Sequence, residues 1–249
     1  MIKGIVTAVC AVLFSAYAFA GVAVFEKISG TDGVTYYEDG KVAAYENGRM
    51  QSLIDTGAGV IYTIDHENRR VAKGTFQEME QVSRQAQKAM DAMMADPQMG
   101  AMMKKRQEAL KSIKVNVKKK GTRDIAGYPC TEYVFTADVQ GFETVGCYSG
   151  KLMDKISKEI DSGSMKKLME MTGGFMETGV SDIIEKKTME YSLEGFTLYE
   201  KTTVNTGGVT DSDESVVTKI EEKSIPGSRF DLPQGYSTVS MMELFGAGM

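Results

Sequence analysis

The residues whose types suit them to chemistry are one histidine, three cysteines and 18 methionines. His66 stands between Asp65 and Glu67, and a Ser-His-Asp triad would have to use it. An imidazole flanked by two carboxylates at a turn reads as a solvated side chain rather than a general base. No segment matches a P-loop, a dinucleotide fingerprint or a nucleophile elbow, and the glycines fit turns better. The spacing of Asp and Glu marks no acid–base pair. These residues predict no catalytic site, no cofactor and no enzyme.

The cysteines point to structure. Cys10 lies in an apolar run near the start, preceded by Thr7-Ala8-Val9, and reads as part of a leader rather than as a lipid attachment site. Cys130 and Cys147 flank two strand-like runs, Thr131 to Ala137 and Phe142 to Tyr148, with Asp138-Val139-Gln140-Gly141 as the turn between them. Opposed residues of an antiparallel hairpin share one index sum, which predicts that the two thiols face each other across the ladder. They lack CxxC spacing and a nearby histidine, so a disulfide is expected rather than a redox or metal pair.

The methionines are the compositional excess. Met90, Met93 and Met94 lie within one helical turn, as do Met99, Met102 and Met103, and Phe76 and Met79 continue the first stripe toward its start. Thioethers are flexible and polarizable, so such a face adapts to ligands of varied shape. Three uses are open: filler between helices and a sheet, lining for a lipid or other apolar molecule, or a soft-metal site offering three sulfurs to Cu(I). The candidate ligand-binding residues are Phe76, Met79, Met90, Met93, Met94, Met99, Met102 and Met103, and no metal site is assigned beside them.

The elements that position these residues follow from patterning. From Val22 to Ala72, six short apolar runs are separated by turn signals: Thr31-Asp32-Gly33, Asp39-Gly40, Asn47-Gly48 and Gly57-Ala58-Gly59. This predicts a strand meander. At Thr75 the apolar period changes from two to about 3.6, with Thr75 and Glu78 spaced as a capping box. Asp96-Pro97 then ends that helix and starts another, running to about Lys111. Ile113 to Lys119 reads as a half-buried strand. Residues 151 to 190 read as helical, broken at Gly163 and Gly173-Gly174, with Met153, Met165, Met169 and Met176 on apolar faces. Strands follow at Phe196 to Val204 and Ser215 to Ile225, and a short helical turn at Met241 to Phe245.

Export is expected. Lys3, the apolar run Ile5 to Phe14 and the small-x-small pattern Ala18-Phe19-Ala20 form the three parts of a cleavable signal over residues 1–20. The run is too short to span a bilayer of about 30 Å, and no later segment serves as a transmembrane anchor. Residues 21–249 are then expected to form a single periplasmic domain whose oxidising surroundings suit the disulfide. Loss of Lys3 leaves 28 basic against 34 acidic residues, a net charge of −6. That overall field does not draw the chain to nucleic acid, and Lys118-Lys119-Lys120 reads as a solvated face.

Three stretches, Ile64-Asp65-His66, Gly127-Tyr128-Pro129-Cys130-Thr131-Glu132-Tyr133 and Phe230-Asp231-Leu232-Pro233-Gln234-Gly235-Tyr236, together resemble a family of exported bacterial proteins of unknown function. That family is similar in strand order to the lipoprotein-carrier superfamily of LolA and LolB. The resemblance implies an α+β fold: a curved antiparallel sheet or half-open β-barrel, with helices across its concave face and room there for acyl chains. It carries over no catalytic residue. The expected function is non-enzymatic binding of a lipid or other apolar ligand, with Cu(I) binding or an envelope protein partner as alternatives.

Overall fold

The computed structural model describes residues 21–138, 141–161, 163–164, 166, 180–206 and 209–246. The expected signal over 1–20 lies outside the described residues, as do Val139-Gln140, Met165, Met169, Gly173-Gly174 and Met176. The meander is present as six strands: β1 (Val22–Ile28), β2 (Thr31–Glu38), β3 (Lys41–Glu46), β4 (Arg49–Asp55), β5 (Val60–Asp65) and β6 (Arg70–Thr75). Each pairs antiparallel with the next. Two-residue turns between twisted strands need positive φ at both positions, and Asp39-Gly40 (φ 49 and 77) and Asn47-Gly48 (φ 49 and 75) supply it. The first turn differs from expectation. Thr31, Asp32 and Gly33 lie inside β2, and Ser29-Gly30 make the turn. Ser29 is held there by the far end of the chain, donating its amide to the Glu214 carbonyl at 2.7 Å and its hydroxyl to Asp213 at 2.9 Å.

Two helices follow, α1 (Phe76–Ala95) and α2 (Pro97–Lys111), then β7 (Val115–Ile125), β8 (Tyr128–Ala137) and β9 (Phe142–Ser149). Next come α3 (Gly150–Glu159), α4 (Val180–Ser192), β10 (Phe196–Thr206) and β11 (Val209–Glu222). A single 3-10 turn at Gly227–Phe230, the short β12 (Ser237–Ser240) and α5 (Met241–Gly246) complete the described chain. The capping box is formed: Thr75 accepts from the Glu78 amide at 3.1 Å while the Glu78 carboxylate accepts from the Thr75 amide at 2.7 Å. Asp96 caps α2 through the amides of Gln98 and Met99, at 2.9 and 2.8 Å, with Pro97 in the first helical position.

All twelve strands form one sheet, in the order β12-β6-β5-β4-β3-β2-β1-β11-β10-β9-β8-β7. This overturns the expected curved antiparallel sheet or half-open barrel with helices across its concave face. The sheet is mixed, because β12 runs parallel to β6, and it is open, with β12 and β7 as separate outer edges. Strands dominate over helices, and the packed helices lie on both faces. On one face, Leu152 and Ile156 of α3 cover Val22, Val24, Val42, Cys130, Cys147 and Leu198. Alternation along each strand sends their neighbours Ala23, Ala43 and Tyr148 to the other face. There, Ile184 and Tyr191 of α4 cover Phe135 and Tyr148, and the segment from Ile225 to Tyr236 covers Ala23, Tyr36, Ala43, Leu53 and Ile64. A four-residue Ser-Thr-Val-Ser strand carries no sequence signal of its direction, which is set by the path of the covering segment before it.

The strand order dictates the helices. The meander runs outward from β1 to β6, and β7 lies at the opposite end of the sheet. The ten intervals between them come to about 48 Å along the sheet. α1 and α2, of 20 and 15 residues, make this connection. α1 and α2 meet at their kink, where a Cβ on Gly100 would stand 2.2 Å from the Met94 carbonyl oxygen.

The disulfide is present between Cys130 and Cys147, with Cα atoms 5.5 Å apart. Its register differs from expectation: Cys147 is opposed by Glu132, so the bridge runs diagonally on one face of the β8–β9 ladder. Cys147 is fully buried and Cys130 is 3 % exposed. Closing a loop of this 17-residue separation stabilises by about 3 kcal/mol in the chain-entropy model. Replacing both cysteines by Ala is expected to lower the free energy of unfolding by about that amount, measured as a shift in the guanidinium midpoint against the oxidised protein.

Candidate functional site

α1 is seated on the sheet by its first turns alone. Phe76 is buried with Ile61 and Ala72 of β5 and β6 and with Met241 of α5, and Met79 packs against the same cluster. Met241 fits because Gly74 has no side chain: a Cβ there would lie 2.6 Å from the Met241 Cγ. Between α1, the end of β6 and α5 lies a groove of about 250 Å³, its apolar floor made by Met79, Val82 and Met241 and its rim by Lys73, Gln81, Gln85 and Ser240. The rim carboxylate, Glu78, is occupied by the capping box, whose Thr75 amide and hydroxyl hold it below the usual carboxylate range.

Beyond this footing the candidate methionines leave the core. Met90, Met94 and Met103 are half-buried, and Met93, Met99 and Met102 are 44, 42 and 65 % exposed. Among the described residues, three of the five exposed large apolar side chains are these methionines. The structure therefore brings Phe76 and Met79 into one site and distributes the other six along the kinked pair. Filler packing between helices and sheet fits Phe76 and Met79, and it leaves the exposed faces of Met93, Met99 and Met102 without a neighbour to fill against. The sequence reading missed Met241, Lys73 and Gly74 as neighbours of α1. A glycine directly before a helix cap, with a methionine in a late helical turn, is the only local sign, and neither indicates the other.

His66 is not a solvated side chain. Its Nε2 lies 2.7 Å from the Met50 carbonyl oxygen and its Nδ1 lies 2.9 Å from the Tyr236 hydroxyl. A carbonyl only accepts, so Nε2 carries hydrogen, and in the neutral ring Nδ1 accepts from Tyr236. Both nitrogens are thus engaged in joining β4, the β5–β6 turn and the C-terminal covering segment. Tyr236 also packs edge-on to His66 and lies under the Arg69 guanidinium. Two of the three stretches carrying the family resemblance meet here, and the contact is structural. Beside it, Asp65 accepts from the Asn68 amide at 3.0 Å and from Arg70 at 2.7 Å. Those bonds, that of the Asn68 amide foremost, lower its pKa to about 2.

The third stretch is structural too. Tyr128 donates from its hydroxyl to Glu222, which also pairs with Lys155 of α3. Burial and the Glu222 carboxylate push the Tyr128 phenol well above its usual range, so it stays a donor.

Residues 67–236 match the profile of a family described as a domain of unknown function, DUF4412. The chain belongs to this family. The DUF4412 match contains both helices of the kinked pair, the disulfide and the covering segment, and it begins one residue after His66. No curated protein matches the sequence. Among solved structures, the chain is similar to an uncharacterized conserved protein from Thermus thermophilus, with a TM-score of 0.38 and 6 % identity over 90 % of this chain and 91 % of that one. It is also similar to MucB in complex with MucA(peri), with a TM-score of 0.33 and 8 % identity over 89 % of this chain, and to MucB by itself, with a TM-score of 0.32 and 8 % identity over 88 %. It spans 57 and 60 % of those two MucB chains.

The Asp65 bonds give the β5–β6 turn a defined acid response. A carboxylate whose pKa is lower in the folded than in the unfolded state contributes stability that is full above the unfolded value and lost as pH falls through the folded one. Asp65→Asn is therefore expected to lower Tm at pH 7, with the deficit shrinking below about pH 4 and vanishing near pH 2. Paired thermal melts across that range measure it.

Proposed function

We propose that this chain is an exported, non-enzymatic binding protein that takes a lipid or other apolar molecule along α1 and α2, with the groove beside Met241 as the anchored end. The observation that carries the reading is the exposure of Met93, Met99 and Met102 on helices that pass outside the core. These side chains are 42 to 65 % exposed, so covering each gains about half of the 1.5–3 kcal/mol that burying a fully exposed one is worth. Thioethers also accept chains of differing shape without a fixed rotamer. Continuity between the methionine face and the seated first turns of α1 favours an elongated apolar ligand over a compact one.

A non-catalytic role is supported by the one histidine, whose nitrogens are both committed to holding the fold. Export is supported by the three-part pattern over residues 1–20 and by a buried disulfide, a bond that persists in oxidising compartments. Among the described residues no helix is long and apolar enough to cross a membrane.

Titration with a dansyl-labelled fatty acid tests the reading. Replacing Met93, Met99 and Met102 together by Gln is expected to weaken binding about tenfold or more, while replacing them by Leu retains it. The side chains are exposed, so the fold is expected to survive both changes. Equal affinity in the native and Gln proteins, or no binding by the native protein, would sink the proposal.

A further inference from the structure

The two outer edges of the sheet are finished differently. β12 is four residues long, and α5 follows it directly. At the other end β7 is 11 residues long and, among the described residues, pairs with β8 alone, so its second row of backbone groups faces away from the sheet. Every residue from Lys118 to Asp124 is exposed and no proline interrupts the strand, but its register with β8 shifts between Lys119 and Gly121, leaving Lys120 bulged and unpaired. A long unpaired edge is a template for another strand, and lysines with a bulge blunt it against uncharged or like-charged strands while leaving it open to one of opposite charge.

The charges at this edge state what it accepts. Lys118, Lys119 and Lys120 have no ion-pair partner among the described residues, whereas Arg123 is committed to Glu132 at 3.3 Å and stacks on the Tyr199 ring at 4.3 Å. Lys118 is opposed by Val134 and Lys119 by Tyr133, so the two project from opposite faces of the strand. Three consecutive lysines repel a second copy of the same strand, since like charges across a ladder destabilise it. They attract a strand carrying consecutive carboxylates. Val115 and Val117, partly buried on the α4 face, offer apolar neighbours to the same incoming strand.

We propose that the free edge of β7 binds an extended acidic segment of another protein as a thirteenth strand. Two or more consecutive Asp or Glu residues of that segment lie against Lys118 to Lys120, and alternating apolar residues lie beside Val115 and Val117. Backbone hydrogen bonds provide the pairing and the lysines select the partner. The inference is independent of the methionine face.

Fluorescence anisotropy with a labelled ten-residue peptide of alternating Val and Thr ending in Glu-Glu-Glu tests it, with the full chain as receptor. Binding is expected to weaken about tenfold or more with Gln in place of Glu, with the Lys118→Gln/Lys119→Gln/Lys120→Gln protein, and with a peptide N-methylated at alternate amides. Hydrogen exchange of β7 amides is expected to slow on binding. Equal affinity for the N-methylated peptide, or unchanged exchange in β7, would reduce the contact to charge alone and overturn strand pairing. Absence of binding by the acidic peptide would overturn the whole proposal. An unchanged circular dichroism spectrum and Tm of the lysine variant would tie its weaker binding to the lysines, and a variant that unfolds is replaced by the Glu-to-Gln peptide comparison.

Discussion

The pairing of β1 with β11 is the constraint on which the rest of the structure depends. β1 is the first strand described, yet it stands in the middle of the sheet between β2 and β11. Val22, Ala23 and Val24 are 2, 0 and 1 % exposed, covered from both faces. This seam joins the half-sheet that runs outward to β6 with the half-sheet that runs inward from β7. Because the two halves meet at their chain ends, their connection must travel from one outer edge to the other. α1 and α2 are that connection, kinked where Asp96 ends one helix and caps the next. The first turns of α1 are seated on β5 and β6, and the methionines beyond them stand half-buried or exposed.

With helices covering only part of each face, other groups hold the sheet. The segment from Ile225 to Tyr236 covers the face of the meander that no α-helix reaches among the described residues, and polar contacts fix it at both ends. Glu38 accepts the Ile225 amide at 2.9 Å, and Tyr236 reaches His66 at 2.9 Å. Between them Arg229 lies over the Tyr36 and Tyr45 rings, and Tyr45 donates to the Arg229 carbonyl. A histidine with both nitrogens bonded and a carboxylate held by an amide and a guanidinium stabilise the β5–β6 turn beneath this segment.

Much of the local structure was legible because it rests on short-range chemistry. The capping box of Thr75 and Glu78, the restart at Asp96-Pro97 and the turns at Asp39-Gly40 and Asn47-Gly48 each involve residues within four positions of one another. Expectation failed where distant residues decided. Ser29 displaced Thr31-Asp32-Gly33 as the first turn because Asp213 and Glu214 hold it. Asn205 to Asp213 reads from its composition as a polar turn between two strands, yet Asn205 and Thr206 extend β10 and Val209 to Asp213 extend β11, since a hairpin projecting from a sheet needs no buried face. The cysteines formed their bridge but not in the expected register, because the β8–β9 turn centres one position later.

By itself, the sequence determined the strands of the meander, the two capped helices, the disulfide partners and the absence of a recognisable catalytic motif, all carried by periodicity, turn chemistry and residue type over short spans. Only the tertiary structure decided that β1 is central, that the sheet stays open and mixed, that His66 is structural and that β7 keeps a free cationic edge. It also decided the fate of the methionine stripe. Helical spacing marks one face of α1 and α2 as apolar, but whether that face meets a sheet or solvent depends on where β6 and β7 end, and strand order is a property of pairings between residues far apart in the chain.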